Sequence, residues 1–113
     1  MSVEIQVFPG IKEESFPIIK VTTSTNGKTG TATFLFIQPT SLNFFFLQNK
    51  PIESVFLIKD QKKIQTKDIT LYFKEGKPFL LKTIFLFKNS DEWFAFLNFM
   101  SDYSKEKGFL FES

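Results

Sequence analysis

The chain has 113 residues, of which 42% are hydrophobic and 23% charged, and its formal net charge is +2. This length and composition are typical of a single folded domain, here residues 1–113, and they exclude a disordered or fibrous chain. The net charge is too small to indicate a nucleic-acid-binding protein by itself.

The residue types that are absent exclude several classes of site. The sequence has no cysteine and no histidine, which excludes disulfides, zinc knuckles, iron–sulfur ligation, thiol nucleophiles and imidazole bases. All 14 basic residues are lysines, so no guanidinium group is present to bind a phosphate or a carboxylate through two hydrogen bonds. We expect no catalytic residues, no cofactor and no metal site.

Short β-rich segments occupy the first part of the chain. Residues 3–8 alternate between apolar and polar side chains and end at Pro9-Gly10, and residues 18–25 are rich in β-branched side chains. Residues 31–37 are predicted to return as the partner strand, because the intervening Asn26-Gly27 is typical of a type I′ turn with two positive φ angles. We interpret residues 42–51, which are aromatic but lack a clear period, as a partly buried connection.

The next segments predict a meander of three antiparallel strands. Residues 52–59, 64–73 and 79–87 are separated only by short connections at 60–63 and 75–78. The last of these segments is apolar on both faces, which indicates burial between layers or a place in an interface. No apolar stretch approaches the roughly 20 residues of a membrane-spanning helix. The start of the chain carries no basic leader, so we expect the protein to work in the compartment where it is made.

The final quarter of the sequence has a helical period. Asn89 to Glu92 fit a capping box and Gly108 is a suitable C-terminal stop. One face of this helix is predicted to cover one side of the sheet, and Phe94 and Phe99 flank that face. The face contains Trp93, Phe96, Leu97, Met100 and Tyr103. We therefore predict an α+β fold, with a mostly antiparallel β-sheet and a C-terminal α-helix packed on one face.

The charged motifs have ordinary structural explanations. Gly27-Lys28-Thr29 lacks the earlier glycine of a phosphate-binding loop and lies between two strands, so a hairpin turn explains it better. In the adjacent pairs Glu13-Glu14 and Asp91-Glu92 the side chains point apart. We interpret the first pair as solvated and the second as part of a helix N-terminus. The excess of apolar side chains on the last strand and on the helix favours a protein partner.

Several strings of residues are similar to one known family. They are the opening Glu4-Ile5-Gln6-Val7-Phe8, the hairpin string Thr29-Gly30-Thr31-Ala32-Thr33-Phe34, the turn Gly76-Lys77-Pro78, and the helix string with Glu92-Trp93, Phe96, Phe99-Met100 and Tyr103. With these strings the chain resembles the Psb28 (PsbW-like) family of small photosystem II assembly proteins, from about residue 4 to residue 112. It departs from the family at Pro9, Lys20 and Thr23, where members often carry arginine.

The resemblance implies a non-catalytic accessory factor of photosystem II. Such a protein binds assembly intermediates during biogenesis and repair, and its implied partners are the inner-antenna protein and the reaction-centre subunits. The implied location is peripheral to the thylakoid membrane, on the stromal side in a plastid or on the cytoplasmic side in a cyanobacterium. The abundance of Phe, Lys and Ile is typical of an AT-rich gene and favours a plastid.

Our hypothesis for the mechanism is β-augmentation, in which an exposed strand edge pairs with an extended segment of a membrane subunit. We predict Lys20, Thr22, Phe34 and Phe36 as partner-binding residues. Proline at Thr33 or Leu35 would then abolish docking, because proline removes a hydrogen-bond donor from the ladder. The sequence leaves open whether the same edge supports a weak homodimer.

Two other functions stay open at the level of the sequence. Lysine and phenylalanine interleaved on the strands would suit a single-stranded nucleic-acid-binding surface, whose affinity would fall steeply with added salt. A small hydrolase would need carboxylates that converge in a deep pocket.

Overall fold

The computed structural model describes residues 3–8, 10–39 and 52–108, and the predicted connection at 42–51 lies outside the described residues. The described part contains two four-stranded antiparallel sheets and one helix, which confirms the predicted α+β fold. Its elements are β1 Val3–Phe8, β2 Ile11–Lys12, β3 Ile18–Thr23, β4 Gly30–Ile37, β5 Val55–Lys59, β6 Lys62–Thr66, β7 Ile69–Lys74, β8 Lys77–Phe87 and α1 Ser90–Lys107.

The strands are divided between two sheets with orders β2-β1-β5-β6 and β3-β4-β8-β7. In each sheet alternate side chains point inward, as the period of two along a strand requires. The inward positions of β4 are Gly30, Ala32, Phe34 and Phe36, and the outward positions carry threonine, leucine and isoleucine. The core therefore lies between the inner faces of the sheets and the helix.

The predicted strand over residues 64–73 is two strands in different sheets. β6 ends at Thr66 in the first sheet, and β7 begins at Ile69 in the second. Side-chain and main-chain hydrogen bonds hold this crossover against β8: Thr66 Oγ1 donates to the Ile84 carbonyl (2.6 Å), and Thr83 Oγ1 donates to the Asp68 carbonyl (3.0 Å). No glycine or proline marks the break, which explains why the hydropathy pattern missed it.

The turns differ from the predicted ones in type. Residues 25–28 form a four-residue loop in which Gly27 has a positive φ and Asn26 does not, so the predicted type I′ turn is wrong there. The Asn26 side chain instead accepts hydrogen bonds from Ser24 Oγ and Lys28 N. Two positive φ angles occur at Glu75 and Gly76, the two-residue turn between β7 and β8. That pair of angles is what a type I′ turn requires.

The helix begins and ends as its sequence predicts. Asn89 Oδ1 accepts from Glu92 N over 2.9 Å, and Gly108 takes a left-handed conformation with its N–H bonded to the Ser104 carbonyl. The Glu92 carboxylate reaches back to Lys88 N (3.1 Å), one residue before the position a standard capping box uses. These contacts satisfy backbone groups that have no partner inside the helix.

The helix packs its aromatic face into the core. The ring centroids of Phe96 and Phe87 are 4.7 Å apart, and those of Phe96 and Phe34 are 6.2 Å apart. Phe99, which we expected beside the core face, is buried in the core, whereas Phe94 is exposed. Leu97 is only partly buried. The apolar arc of the helix is therefore rotated toward Phe99 relative to the prediction.

Candidate functional site

The candidate site is the edge of the second sheet formed by β3. Among the described strands, β3 pairs only with β4. Hydrogen-bond direction alternates along an antiparallel strand, and Ser24 N donates to the Thr29 carbonyl at the end of this pair (3.0 Å). The alternation directs the peptide groups of Ile18, Lys20 and Thr22 toward β4. It leaves the peptide groups of residues 19, 21 and 23 on the outer edge.

The four residues predicted to bind a partner fall into two different environments. Lys20 and Thr22 are exposed on the outer face of β3, next to the edge. Phe34 and Phe36 are 0% exposed, because the even-numbered positions of β4 point into the core. These two phenylalanines offer no surface to a partner in this fold. Alternation along β4, with Ala32, Phe34 and Phe36 on one face, was the signal in the sequence that could have shown this.

The structure also changes the proline test. Thr33 and Leu35 lie on β4, which pairs with β3 on one side and β8 on the other. Proline at either position would remove a hydrogen bond inside the sheet rather than at its edge, and would damage the fold. An informative proline has to lie on β3, at a position whose N–H points outward.

Buried aromatic rings pack against the inner face of the second sheet, next to the edge strand. Phe34 contacts Phe85 with a centroid separation of 5.4 Å, and it stacks on Phe36 at 6.3 Å. Tightly packed rings hold the strands above them in one position, which reduces the entropy lost when a partner strand is added. Their role is to keep β4, and through it the edge strand β3, fixed.

An ion pair fixes the helix against the first sheet. Lys59 Nζ lies 2.6 Å from Asp102 Oδ2 and donates to Asn98 Oδ1 over 3.1 Å. The hydrogen bond from Lys59 holds the pKa of Asp102 below its usual value, against a smaller opposing effect of desolvation. This pair joins β5 to the outer face of α1, away from the β3 edge.

Glu13 is buried, which contradicts our interpretation of Glu13-Glu14 as a solvated pair. Glu13 N donates to the Ile5 carbonyl (2.8 Å), so the chain is still bonded to β1 beyond β2. The Glu13 carboxylate accepts hydrogen bonds from Ser15 N and Ser15 Oγ.

Burial raises the pKa of Tyr103 to about 12, and the charges of Glu13 and Glu106 add to that rise. The predicted place of Asp91 and Glu92 in the first turn of the helix is confirmed.

Two cavities of about 690 and 510 Å³ lie between β6 and α1, and both are lined by Ile64 and Ala95. Three carboxylates line the larger cavity, Asp68, Asp91 and Glu92, of which Glu92 is bonded to Lys88 N. Within residues 3–8, 10–39 and 52–108, no three acidic, cysteine or histidine side chains are grouped to hold a metal ion. In the same ranges, no helix has both the length and the apolar content needed to cross a bilayer.

The lysine and phenylalanine side chains do not share a surface on the central strands of the second sheet. The phenylalanines at 34, 36, 85 and 87 are buried, whereas stacking on nucleic-acid bases requires exposed rings. These strand phenylalanines are therefore core residues, and the central strands of the second sheet offer no stacking surface to a nucleic acid.

Comparison with known proteins decides the family. The model of the Psb28 protein family matches residues 5–111 of this chain. The chain belongs to the Psb28 family. The Photosystem II reaction center Psb28 protein of Pyropia yezoensis is 35% identical over 107 residues, which cover 95% of this chain and 93% of the relative. The proteins of the same name from Thalassiosira pseudonana and Cyanidioschyzon merolae are 33% and 32% identical, and each alignment covers at least 95% of both chains.

The Psb28 family match includes the β3–β4 hairpin, the strands of both sheets and the helix. The strings that carried the resemblance in the sequence now have structural positions. Thr29 to Phe34 form the end of the hairpin loop and most of β4, and the helix string supplies buried core residues. The edge peptide groups of Ile19, Val21 and Thr23 were missed at first, because no side-chain pattern reports the direction of a backbone hydrogen bond.

Proposed function

We propose that this Psb28-family protein is a non-catalytic accessory factor that docks on photosystem II assembly intermediates during biogenesis and repair. Its proposed partners are the inner-antenna protein and the reaction-centre subunits. The proposed location is the thylakoid surface on the stromal side of a plastid, with the cytoplasmic side of a cyanobacterial thylakoid as the equivalent place. Family membership and the names of the relatives support this proposal.

The observation that carries the mechanism is the edge strand β3. Ile19, Val21 and Thr23 each direct an N–H and a carbonyl away from β4, and no other described strand pairs with them. An extended segment of a partner subunit would add there as a fifth strand of the second sheet. Main-chain hydrogen bonds would supply much of the affinity and fix the register.

The side chains beside the edge would supply selectivity. Lys20 and Thr22 project from the outer face of β3, within reach of the side chains of an added strand. Lys20 would pair with a carboxylate of the partner, and Thr22 with a hydroxyl or an amide. Phe34 and Phe36 act from inside by holding β4. Two copies of this edge would also pair with each other weakly, and such a homodimer would compete with docking.

The test is proline substitution at an outward-facing position of β3. Thr23 is exposed and its N–H points away from β4, so Thr23→Pro removes a donor for the partner while keeping the β3–β4 ladder. The matched control is Lys63→Pro on β6, the edge strand of the other sheet. Lys62 and Lys59 flank a two-residue turn and form a hydrogen-bonded pair, so the N–H of Lys62 points toward β5. Hydrogen-bond direction alternates along the strand, and the N–H of the next residue, Lys63, therefore points outward from the edge of the first sheet.

Both variants and the unmodified protein would be used as bait on detergent-solubilised thylakoids, with captured subunits identified by mass spectrometry. We expect the unmodified protein and Lys63→Pro to capture photosystem II core subunits. We expect Thr23→Pro to capture these subunits at least ~10-fold less well. The reason is that the substitution removes one to two main-chain hydrogen bonds to the partner and disturbs the strand register. A folded Thr23→Pro variant that captures the same subunits equally well would refute the edge mechanism.

A further inference from the structure

Exposed apolar side chains are concentrated at one end of the second sheet. β3 begins at this end, β4 and β7 finish there, and β8 starts there. We call the exposed group at this end the apolar rim: Phe16, Ile18, Ile37, Tyr72 and Phe73. The strand register places Ile37 and Tyr72 on either side of Leu80, in one row across the end of the sheet.

The rim holds most of the exposed large apolar surface of the described residues. Four of its members are 55–59% exposed and Tyr72 is 41% exposed, whereas only Leu86 and Phe94 are comparably exposed elsewhere in residues 3–8, 10–39 and 52–108. Single exposed apolar residues need no explanation, but a concentration of them at one end of a sheet is typical of a surface that contacts something apolar. Three of the five are aromatic.

The charges around the rim are mainly positive. The four strands of this sheet contain the lysines Lys20, Lys74, Lys77 and Lys82 and no aspartate or glutamate. The nearest carboxylates in sequence are Glu75, in the turn between β7 and β8, and Glu14, two residues before Phe16. This balance disfavours a second copy as the occupant, because lysines would then face lysines. It is complementary to a negatively charged surface.

The side chains at this end favour a bilayer surface as the occupant. The two cavities between β6 and α1 lie apart from the rim, since no rim residue lines either of them. Exposed phenylalanine and tyrosine together with flanking lysines are typical of proteins that bind the interface of a bilayer. Lysine stems also extend along apolar surface while the charged ends stay in water.

We propose that the apolar rim inserts into the surface of an anionic lipid bilayer, with Lys74 and Lys77 contacting the headgroups. This contact goes beyond subunit docking, because docking uses the outward peptide groups of residues 19, 21 and 23, whereas the rim includes only the first residue of β3, Ile18. In this arrangement the bilayer contacts the end of the second sheet, and the edge formed by β3 stays available to an extended protein segment.

The experiment is cosedimentation of the full chain with lipid vesicles that contain no protein. One set is pure phosphatidylcholine and the other contains equal parts of phosphatidylcholine and phosphatidylglycerol. The rim variant is Phe73→Ser with Lys77→Glu, and the matched control is Phe94→Ser with Lys62→Glu. Phe73 and Phe94 are 57% and 54% exposed, and Lys77 and Lys62 each follow a two-residue turn, so the pairs change charge and apolar surface equally.

We expect the unmodified protein and the control to bind the anionic vesicles and to bind phosphatidylcholine weakly. The rim variant should bind the anionic vesicles at least ~10-fold more weakly, from the loss of one aromatic ring and one lysine at the surface. Equal losses in the rim and control variants would overturn the proposal, and so would an unmodified protein that does not bind. If the unmodified protein binds no vesicles and the rim variant also fails to capture photosystem II subunits, the proposal is overturned and the rim is a protein-binding surface.

Discussion

The backbone of Gly30 lies against the indole ring of Trp93. A Cβ built on Gly30 would be 2.5 Å from both Cζ3 and Cη2 of that ring, and 2.8 Å from the Thr22 carbonyl oxygen. Gly30 is the first residue of β4 and pairs with Thr23 of the edge strand and with Phe87 of β8. The glycine therefore allows the helix to approach the sheet at the point where the β3–β4 hairpin begins.

Gly30→Ala should lower the free energy of unfolding by about 1–3 kcal/mol, because the added methyl group overpacks this contact. Urea denaturation followed by circular dichroism measures the effect. In a Trp93→Phe background the ring is smaller, so the cost of Gly30→Ala should be reduced. Equal costs in both backgrounds would show that the indole ring does not cause the strain.

Two neighbouring helix phenylalanines should differ sharply in their effect on stability. Phe96 is 0% exposed and contacts rings of both the sheet and the helix, so Phe96→Ala should cost about 3–5 kcal/mol. Phe94→Ala removes the same atoms from an exposed position and should change stability by less than ~0.5 kcal/mol. Denaturant titrations of the two variants check this difference, and similar losses would contradict the orientation of the helix.

The N-terminal cap of the helix should contribute measurably to stability. Asn89→Ala removes the acceptor for the Glu92 N–H and should cost about 0.5–2 kcal/mol. Asn89→Asp keeps an acceptor at the helix N-terminus and is the control, with little or no loss expected. Thermal denaturation of both variants provides the measurement. An unchanged midpoint for Asn89→Ala would show that another group satisfies this end of the helix.

The sequence predicted those features that a local side-chain pattern specifies. The alternation of Val3, Ile5 and Val7 predicted β1, and Asn89 with Gly108 predicted both ends of the helix. It failed at Lys67-Asp68, where the chain leaves one sheet and enters the other. Two hydrogen bonds from Thr66 and Thr83, which are distant in sequence, stabilise that crossover. Long-range contacts of this kind leave no local signal.

The sequence also predicted only part of the candidate site. The β3–β4 hairpin was predicted from its two β-rich segments and the turn between them, and the structure places Lys20 and Thr22 at exposed positions on β3. The choice of Phe34 and Phe36 as contact residues assigned function to aromatic side chains whose alternation with Thr33 and Leu35 already placed them on the opposite face. Which strand is an edge depends on the pairing of β4 with β8, whose paired residues are at least 43 positions apart in the sequence throughout the ladder. A single sequence does not contain that pairing.

Tyr103 should make stability depend on pH in the alkaline range. Its folded-state pKa is raised to about 12 from the ordinary value of 10.0, so the folded state binds the proton more tightly than the unfolded state. The resulting stabilisation is fully present below pH ~10 and is lost as the pH rises toward 12. In a Tyr72→Phe protein, Tyr103 is the only tyrosine. Its absorbance titration should therefore have a midpoint near 12, and a midpoint near 10 would contradict its burial.

The most direct test of the account is hydrogen exchange in the segment Ile18–Thr23, compared between the free protein and the protein captured on photosystem II subunits. In the free protein, the amides of residues 18, 20 and 22 should be protected by β4, whereas those of residues 19, 21 and 23 should exchange quickly. Docking by an added strand predicts that the second set becomes protected in the complex. Unchanged exchange of this segment in a fully docked protein would contradict the proposal that β3 is the binding edge.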